Sequence, residues 1–149
     1  MRRAPMVIAA VVVMAAVVNL LVFVVGRALG GSFEFTSNGV VNQVDALTVV
    51  GFSAVPLLIG LVVVVLLVRF GDWVTRTATI VAPVLAVVTI LVMTLPADLD
   101  GASTIALSLC HVTLAPISVA AVRALGRLPR IRAGESSGPA ELRGAQNGV

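Results

Sequence analysis

The sequence predicts an all-α membrane protein, a four transmembrane helix bundle with both termini cytoplasmic. Three observations carry that reading. Apolar stretches at about 5–26, 46–68, 77–96 and 103–122 are each close to the ~20 residues a helix needs to cross a ~30 Å hydrocarbon core. The stretches are continuous rather than alternating, and a bilayer interior offers no water to open backbone groups, so helices are expected and not barrel strands. Composition agrees: 59% of the 149 residues are hydrophobic, only 11% are charged, and mean hydropathy is +1.13.

The spans form one domain, residues 1–125, followed by an arginine-containing tail, residues 126–149. Met1-Arg2-Arg3 before an apolar run is how a secretory signal begins, but this run continues from Pro5 to Val25. A signal core is about 7–15 residues long, so the segment reads as an uncleaved first span. The loop from Arg27 to Asp45 is the longest and is expected outside. Phe33-Glu34-Phe35 alternates, Asn38-Gly39 is a favoured two-residue turn, and Val40 and Val41 follow, the pattern of a small β-hairpin. An isolated hairpin is marginal in water, however, and aromatic residues concentrate at headgroup level. The sequence therefore favours Phe33 and Phe35 as interfacial anchors, with Trp73 as their counterpart on the other face. Pro56, Pro83 and Pro116 fall inside spans two, three and four, where each removes a backbone hydrogen bond and introduces a static bend.

Orientation follows from arginine, which supplies all ten basic residues. Arg2 and Arg3 precede span one, Arg69 and Arg76 lie between spans two and three, and Arg123, Arg127, Arg130, Arg132 and Arg143 follow span four. Only Arg27 falls on the opposite side, among Glu34, Asp45, Asp98 and Asp100. The positive-inside rule then places both termini in the cytoplasm of a multi-pass plasma-membrane protein. From Ala133 to Val149 too few large apolar residues occur to order the chain, and a disordered tail is expected. Arg123, Arg127, Arg130 and Arg132 point to anionic lipid as the partner, at about 1 kcal/mol per arginine. A pI near 11.1 does not indicate nucleic acid, since no aromatic-rich basic domain accompanies these residues.

Within the membrane, small and polar residues recur at steps of three and four. The stripes are Ala9, Val12, Ala16, Asn19 and Phe23 on span one, and Ala46, Val49, Ser53, Pro56 and Gly60 on span two. Thr79, Ala82, Ala86, Thr89, Met93 and Pro96 follow on span three, then Thr104, Ser108, His111, Ala115, Ser118 and Val122 on span four. Such stripes are the seams of helices packing in lipid. At ~1.5 Å of rise per residue, Asn19, Ser53, Thr89 and His111 all lie roughly 10–12 Å below the external ends. This polar layer is the candidate binding site. Intramembrane ionisable residues face cavities, partners or pathways, and a neutral imidazole offers one nitrogen that donates and one that accepts. The plainer reading is that His111 bonds to Asn19, Ser53 or Thr89 and joins helices.

Several chemistries lack their residues. Cys110 is the single cysteine, so an intramolecular disulfide or a Cys-x-x-Cys pair is ruled out. One histidine cannot supply two haem ligands, nor one His with one Cys a four-ligand zinc site. No phosphate loop or dinucleotide fingerprint appears. A Ser53–His111 nucleophile and base has no third orienting group in the spans. Asp45, Asp98 and Asp100 sit at span ends, so no carboxylate lies inside the membrane for proton-coupled export.

The Asn19-Leu20 pair late in span one, the run Leu109-Cys110-His111-Val112 in span four and the arginine-rich tail resemble a family of small uncharacterised actinobacterial membrane proteins, a domain of unknown function with four spans. The resemblance covers roughly residues 5–125. Abundant Ala, Val, Gly and Arg without Lys also resembles proteins of GC-rich genomes. The resemblance implies no activity, cofactor or catalytic residue; only Asn19 and His111 match its recurrent polar positions, and Cys110 stands where an apolar residue, often Met, is usual. The expectation is a membrane component without enzymatic chemistry or cofactor, structural or interacting in role. A minimal transporter or permeation subunit, built as a homo-oligomer around the His111 layer, is the alternative.

Overall fold

The computed structural model describes residues 3–127. Of the expected tail, 126–149, Gly126 ends α4 and Arg127 follows it, while the rest, with Arg130, Arg132, Arg143 and the segment from Ala133 to Val149 expected to be disordered, lies outside the described residues. Four helices dominate: α1 (Arg3–Ala28), α2 (Ala46–Leu67), α3 (Trp73–Thr89, continued by a π turn at Ile90–Thr94) and α4 (Gly101–Gly126). Each helix, with its short extension, is long and apolar enough to cross a membrane. Two of them start on aspartate caps that satisfy first-turn N–H groups: Asp45 accepts from Thr48 N at 2.7 Å and Asp100 from Ser103 N at 2.9 Å.

The helices form a bent row. α1 and α4 pack together at the centre, α2 lies against α1, α3 lies against α4, and α2 and α3 scarcely touch. Two apolar clusters fill the contacts. One joins Ile8, Ala15, Leu57, Leu61, Ala121 and Leu125 toward the start of α1 and the end of α4; the other joins Phe23, Phe33, Val49, Ala106 and Cys110 beneath the long loop. The buried faces follow the expected stripes only in part: Asn19, Phe23, Val49, Ser53 and Val122 are buried as expected. α2 buries Leu57, Leu61 and Val64 rather than Pro56 and Gly60, and α1 buries Ile8 and Ala15 rather than Ala9 and Ala16. Small residues were expected to mark every seam; on α2 they face the gap left beside α3 instead.

The long loop corrects a second expectation. It is a hairpin, β1 (Glu34–Ser37) against β2 (Val40–Gln43), with Glu34 opposite Gln43 and Ser37 opposite Val40. Asn38 at φ 52° and Gly39 at φ 76° supply the left-handed pair that a tight type I′ turn requires. Phe33 is no interfacial anchor: its ring is fully buried, 4.6 Å from the Phe23 ring. It lies so close to Gly26 and Gly31 that a Cβ at either would come within 2.8 Å of it. The hairpin is stable because it is not isolated. Thr36 N donates to Asp98 Oδ1 at 2.6 Å, Ser32 N and Oγ donate to Asp100 Oδ2 at 2.9 and 2.8 Å, and Phe33 N donates to Ser103 Oγ at 2.8 Å. These bonds hold Phe33 at φ 57°, a left-handed conformation that a bulky side chain adopts only when its surroundings enforce it. Arg27, the one arginine at this end of the bundle among the described residues, donates to Ser32 O at 2.8 Å.

Helical geometry continues through Pro56, Pro83 and Pro116, and the irregularity of span three lies beyond its proline. At Ile90–Thr94 the ladder widens, with Leu95 N donating to Ile90 O at 2.9 Å. One consequence is that Thr94 becomes the buried residue while Met93, on the expected stripe, is exposed.

Candidate functional site

Between the two apolar clusters sits a polar knot. Asn19 is fully buried; its Nδ2 donates to Ser53 Oγ at 2.7 Å, and its Oδ1 accepts from Thr113 Oγ1 at 2.8 Å. Ser53 Oγ in turn donates to Val49 O at 2.7 Å. Through one amide, α1 is bonded to both α2 and α4, where apolar packing alone is weak glue because lipid is as apolar as the side chains. Cys110 Sγ approaches the Asn19 carbonyl at 3.7 Å on the same seam.

Beside the knot, the separation of α2 from α3 leaves a cleft of about 660 Å³, with α4 as its floor. Small residues make the room: Gly60 on α2, Ala82 and Ala86 on α3, Ala115 on α4. The cleft follows α4 from His111 to Val122, about 16 Å by helical rise. Its inner polar groups are Ser53, Thr89, His111 and Ser118, while Trp73 and Thr77 stand at the first turn of α3. Thr89 Oγ1 donates to Leu85 O, and Ser118 Oγ to Leu114 O, each at 2.7 Å. His111 Nδ1 lies 2.8 Å from Leu107 O. A carbonyl oxygen only accepts, so Nδ1 carries the proton, and in the neutral ring Nε2 is a bare acceptor.

The four residues of the expected layer are thus divided. Asn19 and Ser53 bond to each other; Thr89 and His111 join Ser53 on the cleft wall, with no hydrogen bond to Asn19. Thr113 was missed. The stripe through His111 follows the face that lines the cleft, whereas α4 also packs on α1. A second series, Ser103, Ala106, Cys110, Thr113, Ile117 and Ala121, has the same three-and-four spacing and contains it.

At the hairpin end the chemistry is anchoring. The Ser103 hydroxyl and N–H, then Ser32, hold the Asp100 carboxyl well below the ordinary carboxylate range, and the Thr36 N–H lowers that of Asp98. Asp45 is lowered by its Thr48 cap partner. All three therefore remain ionised acceptors at neutral pH.

Compared with known proteins, the chain matches the Family of unknown function (DUF6069) over residues 1–127. No curated protein and no solved structure matches it.

Proposed function

The chain belongs to the family of unknown function DUF6069, and from the cleft itself we propose that it is a non-enzymatic membrane component that holds a lipid-like guest between α2 and α3. The observation that carries this reading is the ~660 Å³ space between two helices that scarcely touch, a size within the range of small-molecule sites. Binding rather than reaction is supported by the one hydroxyl weighed as a nucleophile: Ser53 Oγ is committed to Val49 O and Asn19, with no hydrogen bond to His111 among the described residues. The cleft can be filled from within. A Cβ at Gly60 meets nothing within 4 Å, so Gly60→Phe should place a ring in the guest's volume and leave the fold intact. In liposomes containing a photoactivatable long-chain probe, the native protein is expected to be labelled on α2 and α3 lining residues. Gly60→Phe should lose that labelling at least several-fold while keeping its thermal stability in detergent, with Ala82→Phe as a second filling variant. Undiminished labelling in both variants overturns the reading.

We further propose a plasma-membrane orientation with the hairpin outside and both termini in the cytoplasm, supported by the arginine distribution. Arg123 and Arg127, both exposed at the end of α4, would then meet anionic headgroups. A reporter active only outside the cytoplasm should work when inserted at Gly39 and be silent after Arg76. Activity after Arg76 reverses the orientation.

A further inference from the structure

Every inner hydrogen-bond donor of the cleft is already spent on the protein's own backbone. Ser53, Thr89 and Ser118 donate to Val49, Leu85 and Leu114 carbonyls, and His111 donates through Nδ1 to Leu107 O. What remains on these cleft-lining residues is a set of acceptors: hydroxyl lone pairs on Thr89 and Ser118, and Nε2 of His111, which has no protein partner among the described residues. Donors occur only at the α3 end of the cleft, on Trp73 and Thr77.

An acceptor-only interior discriminates by chemistry. A guest ketone, ester or carboxylate would set acceptor against acceptor, a mismatch that rejects a ligand more strongly than a missing contact does. An ammonium group could donate, but its charge would have to leave water for walls made of Leu, Val and Ala. A neutral hydroxyl satisfies the acceptors without that cost. Resting on the guest-binding reading above, we propose that the cleft selects a long-chain alcohol whose O–H donates to His111 Nε2 while its apolar chain lies between α2 and α3.

The test compares a photoactivatable dodecanol with its methyl ether, which keeps the oxygen and loses the donor, on the full chain in liposomes. The alcohol is expected to label cleft residues about two- to tenfold more than the ether, the range of one hydrogen bond. His111→Phe should abolish the preference while both probes still label. Since the chain has one histidine, its ring ¹⁵N resonances offer a readout that needs no variant: the Nε2 signal should shift with dodecanol and stay put with the ether. Equal labelling by the two probes, a preference that survives His111→Phe, or an unmoved Nε2 signal overturns the alcohol assignment and leaves the guest reading standing. Failure of both probes to label the cleft overturns the guest reading, and the assignment with it.

Discussion

Phe33→Ala is expected to detach the hairpin from the helices and to cost about 3–5 kcal/mol, the range for removing a buried aromatic side chain. The ring is fully buried against Phe23, Gly26, Gly31 and Ala106, so its loss leaves a void that two glycines cannot refill. Unfolding in detergent would measure the cost, and cleavage by added protease between β1 and β2 would report the detachment. Native-like stability with an uncut hairpin would show that the hydrogen bonds to Asp98 and Asp100 suffice alone. Those bonds also define a pH window. Because both carboxyls are lowered in the folded chain, their contribution is fully present above the ordinary Asp pKa of ~3.9 and is lost only as pH falls through the lowered folded values. Protease protection of the hairpin should therefore be flat from about pH 5 upward.

The second large effect is expected at Asn19. Asn19→Leu removes the donor to Ser53 and the acceptor for Thr113 together, and interhelical bonds in membranes are worth about 0.6–1.7 kcal/mol each, so about 1–3 kcal/mol should be lost. Coupling identifies the partners. Combined with Thr113→Val or Ser53→Ala, Asn19→Leu should cost less than the sum of the single changes, whereas with His111→Leu the costs should add. Additivity with Thr113→Val would mean that the knot does not exist in the folded protein.

The spans were legible because the bilayer leaves a long apolar run no alternative to a helix. Asn19, Ser53, Thr89 and His111 were legible as residues of one depth because constant helical rise converts sequence position into depth, but which of them bond to one another was not. The order of helices around the bundle was not. In lipid, an apolar residue facing a neighbouring helix and one facing an acyl chain look alike, so the second small-residue series of span four, from Ser103 to Ala121, did not by itself announce that the helix packs on two sides. The same ambiguity hid the cleft, whose Gly60 and Pro56 read as a packing face. The hairpin's turn was visible in Asn38-Gly39, but its stability depends on Asp98, Asp100 and Ser103, far along the chain and brought alongside only by the fold. Phe33 consequently read as a membrane anchor when it is a core residue.

The π turn at Ile90–Thr94 bears on how the length of this chain can vary. Deleting a residue from a regular transmembrane helix turns everything beyond the deletion by about 100° and shortens it by ~1.5 Å, which exchanges lipid-facing for protein-facing side chains. A π turn already contains one residue more than the α-helical turn it replaces. Losing one residue between Ile90 and Thr94 would convert that turn to an α-helical one and leave the helix before it and the 95–100 link to α4 nearly where they are. Span three thus carries, at its end, a turn that can give up one residue at little cost, and the other three spans have no such turn among the described residues.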